Sequence, residues 1–181
     1  MGALDYQKHY TYDDYKEWEG NWELYEGFPI AMSPAPMINH QMIAYAIAGE
    51  LRQSIKDKCK RCAVFGEADY KVADDTIVRP DVVLTCNETG TAYLTKAPEV
   101  IFEIISKSTA KNDENYKFDL YEKEKVKYYC IVYPDDLKVK IFKLDGKNYT
   151  KEGDFFKETY TFEESSCKAT IDFSEVFEKF E

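Results

Sequence analysis

The chain has 181 residues, and its 34 acidic residues outnumber its 24 lysines and arginines, so its formal net charge is −10. This length fits one domain with a sizeable core, and a hydrophobic content of 44% excludes a wholly disordered chain. No run approaches the roughly 18 uninterrupted apolar residues of a membrane span, and residues 1–14 lack an apolar signal core. We therefore expect a cytoplasmic protein with no membrane partner.

Hydrophobic periodicity and turn residues predict an alternation of helices and strands. Taken in chain order, the predicted elements are a helix at 12–18, hairpin strands at 22–25 and 28–32, a helix at 40–57, strands at 63–73, 76–85 and 99–105, a helix at 106–125, strands at 126–133 and 137–144, a strand near 169–171 and a helix near 173–180. No linker, repeat or low-complexity run divides these elements. The pattern indicates a single α/β or α+β domain in which helices are layered on a sheet.

The cysteine content favours reduced thiols over a disulfide framework. Five cysteines are an odd number, and no signal core directs the chain to an oxidising compartment. Cys59 and Cys62 have the spacing of a metal-ligand pair, but a zinc site needs a second pair of ligands. The other three cysteines, Cys86, Cys130 and Cys167, are isolated in the sequence. The simplest interpretation is two ordinary thiols just past a helix end.

A carboxylate interrupts the apolar strand predicted at 99–105. Glu103 is the single polar residue of the run 100–105, which suits a strand covered on both faces. An unpaired charge buried there is costly, so such a group is kept where it meets a metal, a catalytic partner or a buried cation. The alternative is an edge strand whose Glu103 faces water.

Asp81 repeats this pattern at the start of another apolar run. It follows Arg79-Pro80, and proline belongs at a strand start or at a kink. The alternative is a strand-entry aspartate that accepts hydrogen bonds from its own backbone.

Three further candidate residues share one face of the helix predicted at 106–125. Asp113, Lys117 and Tyr121 are spaced four residues apart, which places their side chains one above the other. If that face is turned toward Glu103, Lys117 becomes the cation of a site. The alternative is a surface ion pair between Asp113 and Lys117.

Together these residues predict a site for phosphodiester hydrolysis. Carboxylates on adjacent strands, here Asp81 and Glu103, can hold Mg²⁺ or Mn²⁺, which prefer a few carboxylate oxygens together with water. The ammonium of Lys117 can orient an attacking water or stabilise the charge that develops at phosphorus.

The order of these motifs resembles a bacterial family of candidate restriction endonucleases, often called Uma-two, within the PD-(D/E)xK nuclease superfamily. The resemblance covers nearly the whole chain to about residue 144. The segments that carry it are, in chain order, Glu23-Leu24-Tyr25-Glu26-Gly27, Ser33-Pro34, His40-Gln41, Pro80-Asp81, Ala97-Pro98-Glu99, Glu103-Ile104-Ile105-Ser106-Lys107-Ser108-Thr109, Asp113, Lys117, Tyr121 and the run 126–134.

The resemblance implies a restriction-endonuclease-like fold, in which helices flank a central mixed sheet, and metal-dependent cleavage of DNA. It implies that Asp81 and Glu103 are catalytic residues and ligands of Mg²⁺ or Mn²⁺. The superfamily lysine lies two residues after the second acid, where this chain has Ile105, and its counterpart is Lys117 on the following helix. Supporting residues of the site are Glu23, His40, Glu67, Asp113 and Tyr121.

On this interpretation, residues 1–181 form one nuclease domain. It comprises an N-terminal helix and hairpin (1–35), a nuclease core (36–144) and a C-terminal extension (145–181). Paired cuts in duplex DNA need two active sites, which favours a homodimer.

Two other functions stay open from the sequence. The first is an inactive family member that acts as a binding or regulatory module, because a charge of −10 suits nucleic acid poorly. The basic cluster Lys56, Lys58, Lys60 and Arg61 offsets this only weakly. The second is a serine acyl-transfer enzyme, because Ser108-Thr109-Ala110-Lys111 matches S-x-x-K. Its companion motifs are absent, and helix capping explains the serine and threonine residues.

Overall fold

A six-stranded mixed sheet with helices on both faces forms the centre of the fold. The computed structural model describes residues 8–32, 37–106 and 114–180. The helices there are α1 (Tyr12–Tyr15), α2 (Ile38–Ile55), α3 (Tyr116–Lys123) and α4 (Phe173–Phe177), with 3₁₀ turns at Pro134–Asp136 and Glu178–Phe180. The strands are β1 (Trp22–Tyr25), β2 (Phe28–Ala31), β3 (Cys62–Phe65), β4 (Tyr70–Ala73), β5 (Thr76–Val78), β6 (Val82–Cys86), β7 (Val100–Ile104), β8 (Tyr128–Tyr133), β9 (Lys138–Asp145), β10 (Asn148–Phe155), β11 (Thr159–Thr161) and β12 (Thr170–Asp172). No helix in these ranges is long and apolar enough to cross a membrane.

The large sheet has the strand order β10-β9-β8-β7-β6-β3. Only its β7–β8 pair is parallel, and the remaining neighbours are antiparallel. Alternation along β7 places Phe102 in the core that contains Ile47 of α2, and Ile101 in the core that contains Leu120 of α3. Both faces of β7 are therefore covered, and every residue of the strand is buried.

A smaller sheet, with the order β2-β1-β5-β4, stands beside the large one. Periodicity predicts single strands at 63–73 and 76–85, but each of these segments forms two strands. The first contains β3 of the large sheet and β4 of the smaller one, and the second contains β5 of the smaller sheet and β6 of the large one. In both cases the chain leaves one sheet and enters the other. Pro80, which cannot donate a ladder hydrogen bond, lies at the second crossing, and its carbonyl accepts a hydrogen bond from Glu67 N (3.2 Å). Local periodicity does not reveal which sheet each half joins.

Glycine is required at position 66, where the two segments that pass between the sheets come into backbone contact. A Cβ at this position would lie 2.2 Å from the carbonyl oxygen of Asp81, so the backbone would have to move. We expect Gly66→Ala to lower the free energy of unfolding by about 1–3 kcal/mol, as overpacking does. Gly49→Ala is the matched control, because Gly49 is exposed on α2 with open space at its Cβ. The control should gain about 0.5–1 kcal/mol from helix propensity. Urea denaturation measures both variants, and equal stabilities would contradict this account.

The segment after residue 145 contributes to both the sheet and the core. β10 pairs with β9 at the edge of the large sheet, in a stretch where the sequence predicts no strand. Phe162, Ile171 and Phe173 are fully buried in the same cluster as Ile47 of α2. The strand predicted near 169–171 corresponds to β12, and the helix predicted near 173–180 corresponds to α4 with the 3₁₀ turn that follows it.

The expectation of reduced thiols is wrong for four of the five cysteines. Disulfides join Cys59 to Cys167 and Cys62 to Cys86, while Cys130 is a buried free thiol. The register of β3 on β6 places Cys62 directly opposite Cys86. Cys59 and Cys167 are 108 residues apart in the chain, and packing of the C-terminal segment brings them together. No local pattern in the sequence carries this information.

Glu88 organises the loop between β6 and β7 and gives it a pH dependence. Burial opposes its ionisation, but hydrogen bonds from Thr95 Oγ1 and from the amides of Gly90, Thr95 and Lys96 outweigh burial and lower the pKa of Glu88 to about 2. Because the folded-state pKa lies below the ordinary value of 4.5, the carboxylate stabilises the loop fully above that pH. We expect this contribution to be lost as the pH falls from 4.5 toward 2. Amide exchange at Thr95 and Lys96 should accelerate over that interval, beyond the intrinsic pH dependence of exchange, in the wild type but not in Glu88→Gln.

Candidate active site

The two central carboxylates lie at the same end of neighbouring strands. β6 and β7 are antiparallel with Val82 opposite Phe102, so one further step of this register places Asp81 opposite Glu103. Residues directly opposed across a pair of strands project to the same face of the sheet. Asp81 is fixed there because its Oδ2 accepts a hydrogen bond from Ile104 N at 2.6 Å.

A buried ion-pair network surrounds Glu103. Lys117 Nζ of α3 lies 3.0 Å from Glu103 Oε1 and 2.9 Å from Glu23 Oε1, and Glu23 lies on β1 of the smaller sheet. The three side chains are only 3–5% exposed. Burial of these charges is sustained because each carboxylate faces the same ammonium. The network joins both sheets to α3.

Tyrosine hydroxyls complete the hydrogen bonding of the two glutamates. Tyr121 donates to Glu103 Oε1 (2.8 Å), and Tyr116 donates to Glu23 Oε2 (2.8 Å). The backbone N–H of Arg79 donates to Glu23 Oε1 at 2.8 Å. Burial, followed by the adjacent glutamate charge, raises the pKa of both tyrosines above its usual value, so both stay protonated as donors.

Asp81 and His40 form the accessible side of this cluster. His40 Nε2, in the first turn of α2, lies 3.2 Å from Asp81 Oδ1. Their side chains are 18% and 17% exposed, against 3–5% for the network behind them. The bottom of the site is therefore a buried network of charged side chains, and its entrance is accessible to solvent.

Comparison with known proteins identifies the family. The model of the family Uma2, described as "Putative restriction endonuclease", matches residues 11–166. The chain belongs to the Uma2 family. No curated protein sequence matches it. Among solved structures, a "putative nuclease belonging to DUF820 from Anabaena variabilis" superposes with a TM-score of 0.71 at 16% identity, over 93% of this chain and 98% of that one. The two chains share a fold, so the expected restriction-endonuclease-like architecture is confirmed.

The Uma2 chain brings most of the sequence-predicted site residues together. Asp81, His40, Glu103, Lys117, Tyr121 and Glu23 are linked by the contacts described above. Lys117 is buried between two glutamates, so the alternative in which it forms a surface ion pair is wrong. The alternatives in which Glu103 faces water from an edge strand and Asp81 bonds only its own backbone are also wrong.

Other candidates lie at the rim of the site or outside the described ranges. Glu67 is exposed, and its Oε1 accepts a hydrogen bond from Gln41 Nε2 at 2.9 Å, next to His40 in the chain. Asp113 lies outside the described residues, as do Ser108 and Lys111 of the S-x-x-K match. The structure therefore leaves the roles of these residues as predictions.

Sequence reasoning missed two residues that support the site. Tyr116 precedes Lys117 and binds Glu23, but one tyrosine among 15 carries no distinguishing signal. The sequence distinguishes Arg79 only by its position before Pro80. Its amide donates to Glu23 Oε1, and its Nε lies 2.8 Å from Oδ1 of Asp69, the residue just before β4. Both residues support the site through contacts with Glu23, which lies more than 50 positions away from each of them in the sequence.

The donor set of this Uma2 site fits a divalent cation. The carboxylates of Glu23 and Glu103 share the ammonium of Lys117, and the carboxylate of Asp81, at the strand position opposite Glu103, contacts His40. Among the three carboxylates and the ammonium, the formal charges sum to −2, which matches in magnitude the charge of Mg²⁺ or Mn²⁺. Carboxylate oxygens are the ligands these ions prefer.

Proposed function

We propose that this Uma2 protein is a metal-dependent endonuclease that hydrolyses phosphodiester bonds in DNA. The observation that carries the proposal is the convergence of Asp81 and Glu103, from adjacent strands, beside the buried ammonium of Lys117. Family membership supports the same reaction class. The proposed metal ligands are Asp81 and Glu103, with Mg²⁺ or Mn²⁺ as the ion.

Each residue of the site has a distinct role in the proposed reaction. Asp81 and Glu103 would hold the cation, which when bound lowers the pKa of a water ligand and polarises the phosphate. Asp81 is held in place by Ile104 N, and Glu103 by Tyr121 and Lys117. Lys117, fixed between two glutamates, would position the attacking water and stabilise the charge that develops at phosphorus.

The net negative charge supports the second candidate, a nuclease-fold protein that binds a partner without cleaving DNA. A chain with a net charge of −10 attracts phosphate poorly as a whole. Ile105 also occupies the position of the superfamily lysine, so catalysis depends entirely on its replacement by Lys117. Both functions predict the same fold, and activity separates them.

The deciding experiment is incubation of the purified protein with supercoiled plasmid and with single-stranded DNA. Mg²⁺ or Mn²⁺ should produce nicked, linear or shortened products, and a chelator should abolish them. A folded protein that leaves both substrates intact with either ion would reject the endonuclease and favour the binding module.

We further propose a homodimer for cleavage of both strands, since each chain supplies one site. Light scattering coupled to size exclusion, with and without a DNA duplex, measures the assembly. A protein that linearises plasmid in a single encounter while staying a monomer would contradict this part.

A further inference from the structure

Four cysteines that are scattered in the sequence meet at one place in the fold. Cys59 and Cys62 flank the turn between α2 and β3, Cys86 ends β6, and Cys167 precedes β12. The Sγ atoms of Cys59, Cys62 and Cys167 all lie within 4.8 Å of one another, and Cys86 is bonded to Cys62. The second ligand pair that the C-x-x-C spacing lacks in the sequence is therefore supplied by the fold.

The spacing of three of these four sulfurs approaches that of a zinc–thiolate site. A Zn–S distance of about 2.3 Å puts the sulfurs of a tetrahedral centre roughly 3.8 Å apart. Three sulfurs already fall within 4.8 Å, so small side-chain rotations satisfy this spacing once the disulfides are opened. Sulfurs this close suit a single ion.

The surroundings suit both the charge of such a site and the entry of the ion. A zinc ion with four thiolates carries two net negative charges. Residues 52–61 contain five basic residues and one acidic residue in a chain that is otherwise strongly acidic. A groove of about 680 Å³, lined by Arg52, Lys56, Cys59 and Cys62 among others, opens the cluster to solvent. The basic residues near the end of α2 would stabilise the thiolates and offset the negative charge of such a site.

We propose that the reduced protein binds one Zn²⁺ ion through Cys59, Cys62, Cys86 and Cys167. The two disulfides are the oxidised form of the same four thiols. A phosphine reductant converts each disulfide and one water into two thiols and a phosphine oxide. Zn²⁺ then displaces the four thiol protons, which are released to solvent.

The expected role of this ion is structural. Four protein ligands close the coordination shell, so no position is left for a substrate or a reactive water. The ligands come from the end of α2, the β3–β6 edge and the C-terminal segment, whose cysteine lies 108 residues from Cys59. In a reducing compartment, such as the cytoplasm expected from the sequence, zinc would replace the disulfides in joining these three parts.

Metal analysis of the full chain tests the proposal. After phosphine reduction, exposure to Zn²⁺ and removal of unbound ion, we expect one zinc per chain. Co²⁺ in place of Zn²⁺ should give the intense visible bands of a tetrahedral ion together with sulfur-to-cobalt charge transfer. Cys62→Ser should reduce retained zinc to near zero, whereas Cys130→Ala should keep it at one, because Cys130 is a buried thiol outside the cluster.

The wild-type readouts keep the test decisive if Cys62→Ser fails to fold. Chelation of the zinc from reduced wild type should lower its Tm and make four thiols reactive. Reduced wild type that retains no zinc, whether it stays folded or unfolds, would overturn the proposal. So would cobalt spectra of an octahedral, oxygen-ligated ion, or the absorption of an iron–sulfur cluster in protein purified without oxygen.

Discussion

Asp81→Asn and Glu103→Gln are each expected to reduce metal-dependent cleavage by a factor on the order of 10²–10⁴, close to complete loss in a plasmid assay. Each substitution removes the negative charge of one of the two opposed carboxylates and leaves the shape of the side chain nearly unchanged. Plasmid nicking rates measured with Mg²⁺ and with Mn²⁺ give the effect, and calorimetric titration gives the accompanying loss of metal affinity.

The folds of these two variants should survive. Asp81→Asn removes one of three neighbouring negative charges, so its unfolding free energy should equal or exceed that of the wild type. Glu163→Gln is the matched control, because Glu163 is 65% exposed and its ion-pair partner Lys168 is exposed as well. Cleavage by the control should match wild type. Wild-type activity in either Asp81→Asn or Glu103→Gln would rule out the proposed metal ligands.

Lys117→Met is expected to be the most destabilising of the site variants. Lys117 is 5% exposed and is the shared cation of Glu23 and Glu103, so its removal leaves two carboxylates facing each other in a buried space. Loss of one partner from a buried ion pair costs about 3–5 kcal/mol, which is a large share of the stability of an ordinary domain. Urea denaturation at neutral pH measures the loss.

A double variant separates the structural role of Lys117 from its catalytic role. Adding Glu23→Gln to Lys117→Met removes one unpaired carboxylate and should restore much of the stability, while cleavage stays lost. Lys143→Met is the control for a surface ion pair, since exposed pairs contribute little. Recovery of cleavage together with stability in the double variant would mean that Lys117 serves the fold alone.

The stability of the site and its chemistry come from the same contacts. Glu23 lies on the smaller sheet, Glu103 on the larger one and Lys117 on α3, so their ion pairs also hold these three parts together. The cleavage rate of each site variant must therefore be compared with its free energy of unfolding. The Asp81 variant is the cleaner probe, because that side chain lies at the mouth of the site rather than within the buried network.

Several features were determined by the sequence alone, because they depend on neighbours along the chain. The apolar run around Glu103 predicts a strand covered on both faces, and β7 is buried throughout. Helical spacing of apolar residues predicts α2, and the turn at Glu26-Gly27 predicts the β1–β2 hairpin. The order of the acidic and basic motifs is enough to indicate the family.

Only the tertiary structure decided which distant residues meet. Pairing of Cys62 with Cys86 depends on the β3–β6 register, and pairing of Cys59 with Cys167 on the packing of the C-terminal segment against α2. The segments 63–73 and 76–85 are each divided between two sheets, and the backbone at Gly66 closely approaches that of Asp81 where the chain passes from one sheet to the other. The contact of Lys117 with Glu23 joins residues 94 positions apart. Periodicity reports the burial of a side chain, but its partner is set by strand register and packing, which no local pattern encodes.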